Sequence, residues 1–148
     1  MAKIEFWKDK ARGLLDPTLF SEKAAELAKE IENAGRKLMK DGTVVRNDKG
    51  EIVYERNRSS QIRKFYDEVQ RLQIMSEQGR RNWATILPLL HMLTAKAAYA
   101  EGRKLVSPNF TEFIRDNIPD IKEPDHLQVF AGFFEAFMGF YKLYGPKN

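Results

Sequence analysis

Apolar residues recur at steps of three and four positions along much of this chain, and that spacing predicts amphipathic helices. The first such stretch follows Asp16-Pro17, which combines a helix-capping residue with proline at the first helical position. Its apolar positions share one side of the predicted helix: Phe20, Ala24, Leu27, Ile31, Ala34 and Leu38. The pattern stops near Lys40, before Asp41-Gly42, so we predict one long helix over this span.

A second helical pattern runs from about Ser60 to Ser76. Ser59 or Ser60 can cap it, because a serine hydroxyl accepts a hydrogen bond from a backbone N–H that lacks a partner within the helix. The predicted core face comprises Ile62, Phe65, Tyr66, Val69 and Leu72. Arg63 and Lys64 point away from that face, so this helix is expected to pack on one side and to offer cations on another.

The segment between these two helices contains two short β-prone runs, residues 43–46 and 51–54, on either side of a polar turn. Two such runs around a turn predict a small hairpin. An isolated hairpin is only marginally stable in water. We therefore predict that residues 43–56 form either a small β-hairpin or a mobile loop.

Three more helices are predicted in the second half of the chain. Their predicted starts are Asn82 or Trp83, Ser107-Pro108, and Glu123-Pro124. The third helix reaches about Lys104 and contains Pro88, which should kink it or restart it. The fourth ends at Pro119, and the fifth ends near Gly145.

The fifth predicted helix is apolar nearly all round, so it should lie at the centre of the core or face a partner. Its apolar residues are Leu127, Val129, Phe130, Phe133, Phe134, Phe137, Met138, Phe140, Tyr141 and Tyr144. Five helices with short connections predict an all-α fold, a compact bundle of about five helices. We expect one helical domain over residues 1–148, with residues 1–15 as an N-terminal arm.

Composition narrows the classes of protein that remain. A chain of 148 residues suits one domain with a real core. It has no cysteine, which excludes disulfides and thiol catalysis and favours a cytoplasmic location. No apolar run approaches the length that spans a bilayer, and the charged first ten residues lack the apolar region of a signal peptide.

The net charge of +4 permits nucleic-acid binding without requiring it. Cations concentrate in one stretch: Arg56, Arg58, Arg63, Lys64, Arg71, Arg80 and Arg81. Residues 116–125 are instead mainly acidic. A chain that is basic at one end and acidic at another suits a subunit that stacks head to tail.

The residue pattern offers no site for chemistry. His91 and His126 are the only histidines, and neither has a carboxylate at metal-ligand spacing beside it. Asp67 and Glu68 are adjacent on a helix and point in different directions, so they do not form a general acid–base pair. We expect no catalytic residues, no metal and no cofactor.

One stretch in the second predicted helix resembles the small subunit of the type III-A CRISPR effector, the Csm complex. The resemblance rests on these blocks, in order: Ser60-Gln61-Ile62-Arg63-Lys64-Phe65-Tyr66 with Val69; Lys96-Ala97-Ala98-Tyr99-Ala100-Glu101-Gly102-Arg103-Lys104; Phe110 and Phe113; and the aromatic stretch from Phe130 to Tyr141. Together they span most of the chain from about Ser59 onward.

The resemblance implies a non-catalytic RNA-binding subunit that associates with itself. It would stack in several copies along the guide RNA and its paired target RNA, beside the backbone and large subunits of the effector. The alternative is a helical protein–protein adaptor without direct RNA contact, in which the aromatic last helix is the working surface.

The candidate RNA-binding residues are Arg58, Gln61, Arg63, Lys64, Arg71, Lys96, Arg103 and Lys104. The cations of the second helix could hold a phosphate backbone, or they could form a solvated face with local pairs such as Asp67–Arg71. The resemblance favours phosphate binding for Arg63 and Lys64. Gln61 could bond a sugar hydroxyl or a base edge, or it could be a plain surface residue.

The third helix offers a second candidate face. Lys96 and Arg103 are seven positions apart, so they share a face roughly 10 Å long, with Tyr99 between them. Tyr99 could stack on a base, but packing against the protein is the interpretation we favour. Arg103 and Lys104 could bind the RNA backbone or could compensate the charge of the helix C-terminus.

Overall fold

The computed structural model describes residues 3–79 and 81–147. Met1 and Ala2 of the predicted arm, Arg80 of the basic stretch, and Asn148 lie outside the described residues. The described part is mainly helical, as predicted, with five α-helices: α1, Ala24–Gly35; α2, Ser59–Glu77; α3, Trp83–Gly102; α4, Pro108–Asn117; and α5, Pro124–Tyr144. A short 3₁₀ turn, Ile118–Asp120, follows α4.

The first helix differs from its prediction at both ends. A π-helical turn, Leu19–Lys23, leads into α1, and α1 ends at Gly35 instead of near Lys40. The backbone of another segment approaches here so closely that a Cβ atom on Gly35 would lie 2.5 Å from the Arg56 carbonyl oxygen. Three predicted core positions lie on the surface instead: Phe20, Ala34 and Leu38.

The segment after α1 pairs with itself in an arrangement of three short runs. Isolated antiparallel bridges join Arg36 to Tyr54, Leu38 to Val44, and Arg46 to Ile52. Three backbone hydrogen bonds link the runs in a closed cycle. The Lys37 N–H donates to the Val53 carbonyl (2.8 Å), the Val53 N–H to the Val45 carbonyl (3.0 Å), and the Val45 N–H to the Lys37 carbonyl (2.9 Å). The two β-prone runs thus pair with each other and with the chain that leaves α1.

The N-terminal segment contains a small hairpin that its sequence pattern did not reveal. Strands β1, Trp7–Asp9, and β2, Leu14–Leu15, pair antiparallel. Phe6 is buried just before β1, with its ring edge-on to Phe133 at 5.5 Å between centroids. The half-buried Trp7 packs edge-on against His126 at 6.1 Å. The segment therefore docks on the helices of its own chain through its aromatic side chains.

The fifth helix lies at the centre of the core, which is one of the two positions predicted for it. It packs against α1 and α2, while α3 packs against α4 and α2. Its rings stack with an aromatic residue of α4, Phe113, which lies 5.6 Å from Phe130 and 6.2 Å from Phe137 between centroids. The buried aromatic residues of α5 are Phe130, Phe133, Phe134, Phe137 and Tyr141.

The start of α2 corrects the predicted serine cap. Arg58 occupies the capping position and makes no side-chain cap bond, and Ser59 is the first helical residue. The Ser59 hydroxyl instead donates a hydrogen bond to the Pro146 carbonyl at 2.5 Å. The predicted core face of α2 is buried at Ile62, Phe65, Val69 and Leu72, and only half-buried at Tyr66.

Candidate nucleic-acid interface

Four of the eight candidate residues line one groove of about 340 Å³ between α2 and α3. These are Gln61 and Lys64 from α2 with Lys96 and Arg103 from α3. We call this site the α2–α3 groove. Its other lining residues are Phe65, Glu68, Leu93, Tyr99, Ala100 and Leu105.

Helical spacing explains why these residues meet. Lys64 lies one turn from both Gln61 and Glu68, so the three follow one side of α2. Lys96 of α3 and Arg103, which caps the C-terminus of α3, lie on one side in the same way, about two turns apart. Buried Phe65 and Leu93 hold the two helices together beneath them. The groove therefore combines an apolar floor with a rim of exposed cations.

The Tyr99 ring faces solvent, which contradicts the predicted packing role. Its side chain is 68% exposed, whereas neighbouring Ala97 and Ala100 take the core positions of α3. The Arg103 guanidinium lies over the ring, with its central carbon 5.7 Å from the ring centroid. A cation over an aromatic face is attracted by the ring quadrupole, so the two side chains support each other's orientation.

Glu68 lines the groove, although it was not among the candidate RNA-binding residues. Its carboxylate accepts two hydrogen bonds from Arg71, from Nε and from Nη2, each at 2.8 Å. Lys96 Nζ lies 3.9 Å from the same carboxylate. The hydrogen bonds from Arg71 lower the pKa of Glu68, so it is ionised at neutral pH. Helical spacing also allowed an ion pair between Arg71 and Asp67, but Arg71 pairs with Glu68 instead.

Arg63 lies on the opposite side of α2 from the groove. It lines a cleft of about 510 Å³ between α2 and α5, together with Lys142 and Lys147. We call this the α2–α5 cleft. Arg63 and Lys64 are adjacent in sequence, yet the structure does not bring them together, because neighbouring helix positions point in different directions.

The two remaining candidates stand apart from the groove. Arg58 lines a shallow pocket with Tyr54 and Lys147, and its Nη2 donates to the Tyr54 carbonyl at 3.3 Å. Lys104 is exposed beyond the end of α3, with a left-handed backbone at φ 62°. The structure therefore divides the eight candidates between the groove, the opposite cleft and the neighbouring surface.

The described residues contain no group of three or more His, Asp or Glu side chains that could hold a metal ion. His91 is exposed, and Nδ1 of His126 accepts a hydrogen bond from the Lys122 backbone N–H at 3.1 Å. Within residues 3–79 and 81–147, no helix is both long and apolar enough to cross a membrane.

Comparison with known families identifies one match. A model of the Csm2 Type III-A family matches residues 46–147, which is more than half of the chain. The matched span includes α2 to α5, and therefore both walls of the groove and of the cleft. No curated protein and no solved structure matches the chain.

Proposed function

The chain belongs to the Csm2 type III-A family, the small subunit of the Csm complex, and from this premise we propose that it binds the backbone of RNA through the α2–α3 groove. The resemblance noted in residues 60–66 and the later blocks is thereby confirmed. The family is generally a non-catalytic structural subunit of an effector that contains a guide RNA. The proposal assigns a surface and a mode of contact within that effector.

The observation that carries the proposal is the convergence of cations from two helices on one groove. Lys64 comes from α2, while Lys96 and Arg103 come from α3 more than thirty residues later. A phosphate backbone carries a row of charges, so several cations that line one groove can contact successive phosphates. Gln61 adds a group that can both donate and accept a hydrogen bond at the same rim.

This composition favours a grip that does not depend on sequence. Lysine and arginine side chains bind phosphates in any sequence context, and base pairing between guide and target supplies specificity in guided effectors. We propose that several copies stack in the cytoplasm along the guide RNA and target RNA, beside the backbone and large subunits. Arg58, Arg63, Arg71 and Lys104 are proposed as supporting contacts outside the groove's cationic rim.

A charge-neutralising variant tests the groove. Lys64→Gln, Lys96→Gln and Arg103→Gln together should weaken binding to unrelated single-stranded RNAs at least about tenfold. The slope of log affinity against log salt should become less steep by about 2, because each lost phosphate contact removes about 0.7 for a single strand.

Two matched variants make the test specific. Lys8→Gln, Lys10→Gln and Arg12→Gln remove the same charge from the N-terminal hairpin and should leave affinity nearly unchanged. Arg63→Gln, Lys142→Gln and Lys147→Gln together remove the three cations that line the α2–α5 cleft and should have a smaller effect than the groove variant. If the cleft variant loses affinity and the groove variant keeps it, the groove is the wrong surface.

The adaptor alternative finds less support on α5, where Phe140 and Tyr144 are half-buried and most of the other aromatic rings are buried. It takes the aromatic last helix as the working surface, but five aromatic residues of α5 are buried inside the chain: Phe130, Phe133, Phe134, Phe137 and Tyr141. An adaptor would form oligomers in high salt and retain no RNA on purification. The proposed function requires RNA binding that weakens as salt rises.

A further inference from the structure

We propose that Tyr99 is a stacking platform for one unpaired, unstacked base of the bound RNA, held beside the phosphates that the groove cations bind. The inference rests on the proposed function and deepens it, because it assigns a contact to a base and not to the backbone. The ligand class is single-stranded or locally unstacked RNA, without preference for one base.

The first argument is the position of the ring. A tyrosine that contributes to the core buries its ring, but this one is 68% exposed at the rim of a groove. Lys96 lies one turn before Tyr99 on the same side of α3, and Arg103, at the C-terminal cap of α3, lies about one turn after it. A base on the ring would thus be flanked on both sides by cations able to reach its own phosphates.

The second argument is the contact between Tyr99 and Arg103. With the guanidinium 5.7 Å from the ring centroid, one side of the ring is covered by a cation. The ring's exposure leaves room for a base against it, and a planar guanidinium also stacks on bases. Proteins that bind single strands without sequence preference combine a cationic groove with such aromatic platforms.

The third argument is chemical. Bases inside a regular duplex are stacked on each other, so an exposed ring can take only a base that has left the stack. Every base has an aromatic face, so stacking tolerates any base. The platform therefore adds affinity for unstacked nucleotides without conflicting with specificity set by base pairing.

The experiment compares base-containing and abasic RNA. The full chain is titrated with oligouridylate and with an oligomer of equal length whose central nucleotides are abasic. The wild-type chain should bind oligouridylate more tightly than the abasic oligomer. Tyr99→Leu should weaken oligouridylate binding at least about fivefold and leave abasic binding unchanged, because one base–aromatic stack is lost. Tyr99→Phe keeps the aromatic face and should bind as the wild type does.

Phe20→Leu is the matched control, because Phe20 is also an exposed ring and lies on the π-helical turn away from the groove. It should bind both oligomers normally. Equal affinities of wild type and Tyr99→Leu for oligouridylate, or equal losses on both oligomers, would overturn the stacking proposal. If the groove cation variant loses affinity while Tyr99→Leu does not, only the stacking inference fails. If wild type binds neither oligomer, both proposals fail.

Discussion

Replacing Asn57 should destabilise the chain more than any other single change to a polar residue that we consider. Asn57 is fully buried in the link that leads into α2, with a left-handed backbone at φ 61°. Its Nδ2 donates to the Ile31 carbonyl at 2.9 Å and to Ser107 Oγ at 2.7 Å. Its Oδ1 accepts from the Ser107 backbone N–H at 2.8 Å. One side chain thus joins α1, the start of α2 and the start of α4.

The magnitude follows from the groups that would lose their partners. Asn57→Gly removes three buried hydrogen bonds of about 0.5–1.5 kcal/mol each and leaves the Ser107 N–H without its acceptor away from water. We expect the free energy of unfolding to fall by about 3–5 kcal/mol. Asn57→Ala loses the same bonds and also holds alanine in the left-handed conformation, which costs about 1–2 kcal/mol relative to glycine. The glycine variant in turn has a more flexible unfolded chain, which lowers its own stability by about 0.4–1 kcal/mol. Alanine should therefore be the less stable of the two.

The measurement is urea unfolding followed by circular dichroism, with the free energy extrapolated to water and the slope checked for constancy. Asn47→Ala is the control, because the Asn47 side chain also makes hydrogen bonds, to Lys49 N–H at 2.9 Å and Glu51 N–H at 3.0 Å, but is exposed. Water replaces those bonds in the variant, so the free energy of unfolding should fall by about 1 kcal/mol or less. A loss below about 1 kcal/mol for Asn57→Gly, or an alanine variant more stable than the glycine variant, would refute the reasoning.

Two further predictions concern charge. Glu68→Gln removes the anion in the α2–α3 groove and frees Arg71 and Lys96. RNA affinity at low salt should therefore rise by roughly fivefold, and stability should change little because the ion pairs are exposed. An unchanged or lower affinity in a filter-binding titration would contradict this. Hydrogen bonds from the hydroxyl and the N–H of Thr18 lower the pKa of Asp16 from 3.8 to about 2. Because the pKa of Asp16 is lowered on folding, its carboxylate stabilises the fold above pH 3.8, and that contribution disappears as the pH falls toward 2. Asp16→Asn should therefore flatten the pH dependence of the free energy of unfolding between these values. A variant that keeps the wild-type slope in that window would exclude the effect.

The fold was predictable where one local rule acted alone. Periodic apolar positions and proline starts placed α2 to α5 within a few residues of their observed ends. The end of α1 was not predictable in this way. It depends on the close approach of the Arg56 carbonyl to Gly35, a tertiary contact that pulls the chain into the pairing of residues 36–54. The local pattern around Leu38 is helical, and the distant contact prevails over it.

The candidate site was predictable as a set of cations but not as a surface. Periodicity correctly puts Lys96 and Arg103 on one side of α3, but it does not say which helix lies opposite. Adjacent position made Arg63 and Lys64 look like one site, although they line different clefts. Packing was the role favoured for Tyr99, and only the burial of Ala97 and Ala100 shows which side of α3 faces the core and which is left to solvent.

The charge of the groove constrains how such a subunit can work. Three cations, Lys64, Lys96 and Arg103, line it, and ionised Glu68 offsets one of them. If the groove binds RNA as proposed, a few phosphate contacts would give each copy a shallow salt dependence and modest affinity, and stacking of one base would add a contribution that salt does not screen. When copies are held side by side, each later contact becomes intramolecular, so weak individual sites suffice for tight and reversible binding of a long strand. Under the same proposal, a more strongly cationic groove would hold RNA before assembly, and the negative charge of Glu68 would oppose that early binding.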